Sequence, residues 1–197
     1  PLGAVLHAIP QQPGHVGLVA RRGERLEQQA RPRARRVGPV HQVAAGDAED
    51  VRHGPELVER GDQTLALAVL RPAKPNGVGV LLLVRGGWKS GKPGSFGEWM
   101  AAPLIRRGYT VFPIYHVSQP KATIMDITDD MHRAVRFVRH HAKDYGIDPQ
   151  RIGVTGGSAG GHLSLMLATR GGPGRPDAAD PVDRESSAVQ AAAIFYP

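Results

Sequence analysis

The sequence contains no cysteine. A disulfide framework, a thiolate metal site and a cysteine nucleophile are therefore all excluded. Aromatic residues are scarce, at 5% of 197 positions, and the first is Trp88. Residues 1–87 thus lack the large side chains that usually anchor a core. No apolar run approaches the roughly 20 residues needed to span a bilayer. The N-terminus shows no charged segment, apolar segment and cleavage site in succession, so the cytoplasm is the default expectation for the compartment. The first residue is Pro1 rather than Met, and the true start is expected upstream. What the chain does have is basic charge, +7 overall, with seven arginines against Glu24 and Glu27 in residues 21–36. A basic run can bind nucleic acid, but no aromatic residue interleaves this one and no zinc-ligand spacing accompanies it. A solvated segment is the expectation, with no nucleic-acid partner.

Residues 1–50 show no sustained period of 2 or 3.6 and are expected to be a disordered or non-domain extension. The texture changes at about residue 51, and 51–197 are expected to form the domain. Residues 62–71 alternate as a half-exposed strand, with Leu65, Leu67 and Val69 on one face. Residues 78–84 are a continuous apolar run, as in a buried parallel strand. A helix is predicted over about 95–107 and a strand over 109–115, although Pro113 removes a ladder donor there. Residues 123–145 carry the clearest helical period, through Ile124, Ile127, Met131, Ala134, Val135, Val138 and Ala142. Acidic residues lie near its start and basic ones near its end, as the helix dipole favours, and Gly146 stops it. A strand over 152–155, a helix over 159–169, a polar loop over 171–187 and a last strand over 189–196 complete the series. Strands alternating with helices predict an α/β protein with a largely parallel, doubly wound sheet.

Between the fourth predicted strand and the helix that follows it lies Gly156-Gly157-Ser158-Ala159-Gly160, a G-x-S-x-G nucleophile elbow. A serine hydroxyl is a poor nucleophile and must be held exposed with its line of attack open. A sharp strand-to-helix turn does this while crowding its neighbours, and Gly156 and Gly160 leave the room a side chain would fill. The new helix also presents unpaired N–H groups, starting with that of Ala159, to a developing oxyanion. A second element, Arg85-Gly86-Gly87-Trp88, follows a buried strand, where glycines let main-chain donors approach one oxygen.

With these pieces in place, residues 51–197 resemble the carboxylesterase branch of the α/β-hydrolase superfamily, including hormone-sensitive-lipase-like and acetyl-xylan or feruloyl-esterase-like proteins. Arg85-Gly-Gly-Trp88 corresponds to that family's H-G-G-G-W loop and Tyr115-His-Val to its Y-R-L. Asp144-Tyr-Gly-Ile-Asp-Pro-Gln-Arg-Ile152 then runs into Gly156-Gly-Ser-Ala-Gly-Gly-His162. The resemblance implies Ser158 as catalytic nucleophile and an oxyanion hole from the backbone of Gly86, Gly87, Trp88 and Ala159. It implies a small or medium acyl ester as substrate and no cofactor or metal. A peptidase or amidase and a non-catalytic binding protein are the alternatives on the same scaffold. Val84 and Arg85 stand where the family has its loop histidine and a glycine, which leaves that loop without its usual brace.

The family's catalytic acid and histidine follow the serine in sequence. Downstream of Ser158 stand only Asp177, Asp180, Asp183, Glu185 and His162. The acids precede the last strand, and His162 belongs to the elbow string, where it packs. His116 is expected in a structural or rim role, and His140 and His141 are expected to be solvated. Asp129 is expected to brace a loop or helix. The sheet is therefore expected to be incomplete at the C-terminus, with an exposed apolar edge and low activity in the truncated chain.

Overall fold

A computed structural model describes residues 50–60, 63–83, 86–91 and 98–197. Six strands form one sheet: β1 (Asp50–Arg60), β2 (Gln63–Arg71), β3 (Gly79–Leu83), β4 (Thr110–Tyr115), β5 (Ile152–Gly157) and β6 (Ala191–Phe195). Their spatial order is β1-β2-β4-β3-β5-β6. β4, β3, β5 and β6 run parallel, while β1 and β2 are joined antiparallel to each other and to β4. The helices are α1 (Glu98–Ile105), α2 (Ile124–His140), α3 (Ala142–Tyr145) and α4 (Ala159–Arg170), with a 3₁₀ turn at Pro181–Arg184.

The chain winds outward from β3 to β4, then crosses back over β3 to β5 and continues to β6. This reversal places helices on both faces, because parallel crossovers keep one hand. On one face Leu65, Leu67, Leu81, Phe112 and Ile114 pack with Ile127, Met131 and Val138 of α2 and Leu163 and Leu167 of α4. On the other, Leu70, Leu82 and Val111 pack with Ala101 and Ile105 of α1. The doubly wound α/β expectation holds. The reversal also creates a crevice at the carboxyl ends of β3 and β5, the place where open α/β sheets form sites.

Three expectations change. β2 is not half-exposed, since residues 65–70 are all buried. Its alternation is one of size, with Ala66 and Ala68 between the larger residues, and both faces are covered. The helix expected over 123–145 breaks at His141, whose φ of −97° and ψ of 17° separate α2 from α3. The apolar period runs across the break because Ala142 stays in the same core. β1 is a strand that the alternation does not reveal.

Other details follow the sequence. Pro113 sits in a central strand, opposite Leu82 of β3. On the other side, β2 and β4 pair at Leu67–Ile114 and Leu70–Val111, and no pair forms at Pro113 itself. Thr123 caps α2 in a capping box with Asp126, and Gly146, at φ 68°, closes α3.

β6 pairs with β5 along one side, and four of its five residues are exposed. Beside it, between α1 and the open face of β3, β5 and β6, runs a groove of about 1350 Å³. Its walls include Met100 and Leu104, its floor the small residues Gly153 and Ala193, and Ser158 also lines it. Trp99 of α1 and Phe195 of β6 stand exposed there. The arginine-rich stretch 21–36, together with Val84 and Arg85, lies outside the described residues.

Candidate active site

β5 delivers the chain to Ser158, and α4 starts at the next residue. Ser158 makes the turn between them at φ 54° and ψ −125°. A non-glycine residue in such a region costs on the order of 1–3 kcal/mol and persists where its surroundings over-determine it. The surroundings here do so from both sides. The Ser158 N–H donates to the Phe195 carbonyl at 2.9 Å, and the Ser158 carbonyl accepts the His162 N–H at 2.9 Å.

The flanking glycines are spatially required. A Cβ at Gly156 would stand 2.6 Å from the carbonyl carbon and oxygen of Gly160 and 2.8 Å from the Leu83 oxygen. A Cβ at Gly160 would collide with that same Leu83 oxygen. The start of α4 therefore rests directly on the ends of β5 and β3. Ser158 itself is exposed, and the first intrahelical bond of α4 is the one from His162, so the amides of 159–161 precede it.

β3 leads to the second element. A Cβ built on Gly86 would stand 3.8 Å from Ser158 Oγ. The main chain of the glycine turn and the serine hydroxyl are thus neighbours across the ends of β3 and β5. Gly87 and Trp88 follow at φ 66° and 52°, and the Lys89 N–H closes the turn on the Gly86 carbonyl at 3.4 Å. Of the five residues expected at the site, Gly86 and Ser158 meet, Gly87 and Trp88 share the turn with Gly86, and Ala159 adjoins Ser158.

The other candidates fall elsewhere. The His162 ring lies edge-on to Trp88, with centroids 5.8 Å apart and planes at 81°. Asp180 and Asp183 hold Arg133 of α2 at 2.6 and 2.9 Å, and Glu185 lies 3.3 Å from His140 Nδ1. Burial alone would raise the Asp180 pKa, but the Arg133 hydrogen bond and charge and the Val182 N–H outweigh it and hold it low. His116 is buried rather than at the rim, with Nδ1 2.8 Å from the Val117 carbonyl, so Nδ1 carries the donated proton. Among the described residues no histidine ring hydrogen-bonds the Ser158 hydroxyl, and no group of three metal-ligating side chains is assembled. No described helix is long and apolar enough to cross a membrane.

Burial lowers the pKa of His116 below 6.5 against the opposing pull of the Val117 carbonyl and Asp130. Burial, followed by the Arg136 charge, does the same to His132. Both groups therefore bind protons more readily in the unfolded chain. Their contribution to stability is complete above pH 6.5 and is lost as pH falls from 6.5 towards the folded pKa, with a limit of about 1.4 kcal/mol per pH unit for each group. Urea denaturation at pH 7 and pH 5.5 should show the acidic midpoint lower, and His116→Gln should reduce the difference. Equal pH dependence in wild type and variant would remove His116 from the account.

The chain is similar in sequence and in fold to known proteins. Over 118 residues the chain is 35% identical to the probable carboxylic ester hydrolase LipM of Mycobacterium tuberculosis, covering 59% of this chain and 27% of that protein. It is 31% identical over 162 residues to esterase LipQ of the same organism, covering 81% of this chain and 37% of LipQ. The chain thus spans about a quarter to just over a third of the length of these relatives. Thermogutta terrifontis esterase 2, solved phosphoramylated by tabun, superposes with a TM-score of 0.60 at 27% identity, over 77% of this chain and 57% of that one. The BD-FAE family profile matches residues 68–196, and the chain accordingly belongs to the BD-FAE family of α/β-hydrolase carboxylesterases.

Proposed function

We propose that this protein is a serine hydrolase of carboxylic esters that works through an acyl-enzyme on Ser158, within a catalytic domain formed from residues 51–197. The observation that carries the proposal is the strained, exposed Ser158 at the β5–α4 turn, with the Gly86 main chain beside its hydroxyl. In this reading Ser158 Oγ attacks the ester carbonyl carbon and its proton passes to a general base. The carbonyl oxygen becomes an oxyanion facing the N–H groups of the Gly86-Gly87-Trp88 turn and of Ala159. Collapse of the tetrahedral intermediate breaks the bond to the alkoxide, which leaves as the alcohol after receiving that proton. Water then repeats the attack on the acyl-serine and releases the acid.

The names of the relatives support ester chemistry, and a small or medium acyl group is the proposed substrate class. Exposure to a fluorophosphonate followed by peptide mass mapping tests the assignment. The adduct should reside on Ser158 and be absent from Ser158→Ala. An adduct on another serine, or none on the wild-type protein, rejects it.

A further inference from the structure

We propose that Ser118 is the positioning residue of the Gly86–Ser90 turn, holding from the end of β4 the main chain that faces Ser158. The reaction it would assist rests on the esterase reading above; the brace itself rests on geometry alone. The turn needs a brace. Gly87 and Trp88 both have positive φ, the signs of a type I′ turn, and a tryptophan in that region is held against its own steric preference. The one hydrogen bond inside the turn, Lys89 N–H to the Gly86 carbonyl, is long at 3.4 Å.

The support comes from residues that follow β4. The Ser118 hydroxyl oxygen accepts the Ser90 N–H at 2.9 Å. The next residue, Gln119, donates its N–H to the Trp88 carbonyl at 3.2 Å. Both bonds land on the second half of the turn, one on the carbonyl of its strained tryptophan and one two residues further on. Ser118 is itself fixed from the other side, because its carbonyl accepts the N–H groups of Lys121 at 3.1 Å and Ala122 at 3.3 Å. The residue after Ala122, Thr123, begins the capping box of α2. A continuous set of bonds therefore runs from the start of α2 through Ser118 to the turn beside Ser158. Trp88 also packs on the larger core and meets His162 edge-on, so the turn is seated against α4 as well.

The chemical reason for serine is specific. The Ser90 amide needs an acceptor at 2.9 Å, and a hydroxyl oxygen supplies one that an aliphatic side chain does not. Threonine keeps that oxygen, so Ser118→Thr is the conservative partner of Ser118→Ala.

Two measurements on the full chain test the assignment. In amide hydrogen exchange, Ser118→Ala should speed exchange at Ser90 about tenfold, as loss of one such bond implies, and leave α4 unchanged. Ser118→Thr should restore protection. In fluorophosphonate labelling, Ser118→Ala should lower the limiting rate constant at Ser158 about tenfold at unchanged half-saturating concentration, and Ser118→Thr should recover it. A merely structural serine would not split rate from affinity in this way. Unchanged exchange at Ser90, or a limiting rate equal to wild type, overturns the proposal. If the wild-type protein takes no label, the esterase reading falls, and the exchange measurement alone decides the brace.

Discussion

Gly160→Ala should cost at least about 3 kcal/mol of stability and abolish any covalent labelling of Ser158. Inserting a methylene into a packed interior usually costs about 1–3 kcal/mol, because side chains rotate to make room. Here the added Cβ meets the Leu83 carbonyl oxygen and carbon, and no rotamer moves a main-chain carbonyl. Either the end of β3 separates from α4 or α4 tilts away from the sheet. Each response moves Ser158 relative to Gly86, since those residues sit at the ends of the elements being separated. Urea denaturation would show a lower midpoint at unchanged slope. A midpoint equal to wild type would mean that the contact between α4 and β3 is looser than described. As a control, Gly172→Ala meets nothing within 4 Å and should leave both quantities within about 0.5 kcal/mol.

Arg139→Ala should lower stability by about 3 kcal/mol. Arg139 is 6% exposed, and its guanidinium is a clamp. Nε donates to the Pro149 carbonyl at 3.0 Å, Nη1 to that of Ser186, and Nη2 to that of Ala188 at 2.7 Å. Those carbonyls belong to the loop before β5 and to the loop before β6. One planar cation therefore ties together the entries of two neighbouring parallel strands. Hydrogen bonds to charged groups contribute about 1.5–3 kcal/mol each, and truncation leaves the acceptors desolvated and unpaired. The three are not additive, which sets the expected total below their sum. Arg139→Lys should recover only a minority of the loss, because an ammonium cannot reproduce the planar fork. Full recovery by lysine would show that charge, and not geometry, matters at this position.

What the sequence disclosed was what is local. The elbow was legible because its five residues are contiguous and Gly156 and Gly160 have a steric role there. α2 was legible because Ile127, Met131, Val135 and Val138 keep helical spacing whatever they pack against. β1 was not, since Gly54 and Pro55 interrupt it and its ladder shifts register between His53 and Glu56 and between Glu56 and Val58. Edge strands tolerate such interruptions because one side of the backbone needs no partner. Arg139 reads in sequence as a cation suited to the end of a helix, whereas its partners Ser186 and Ala188 lie 47 and 49 residues away. Ser118 gives no local signal either, because its contact with the turn spans 28 residues. Long-range hydrogen bonds between irregular segments have no periodicity to betray them.

The bond from the Ser158 amide to the Phe195 carbonyl links the elbow to the outer strand thermodynamically. When β6 detaches from β5, Ser158 loses one of the two restraints that hold it at φ 54°, and it can relax to an ordinary conformation. The free energy stored in the serine is then released, so it lowers the work of detaching β6 by the same amount. Linkage makes the converse equally true: whatever holds β6 in place also holds Ser158 in its strained geometry. Fraying of an exposed five-residue strand and readiness of the serine hydroxyl are, on this structure, two readings of one equilibrium.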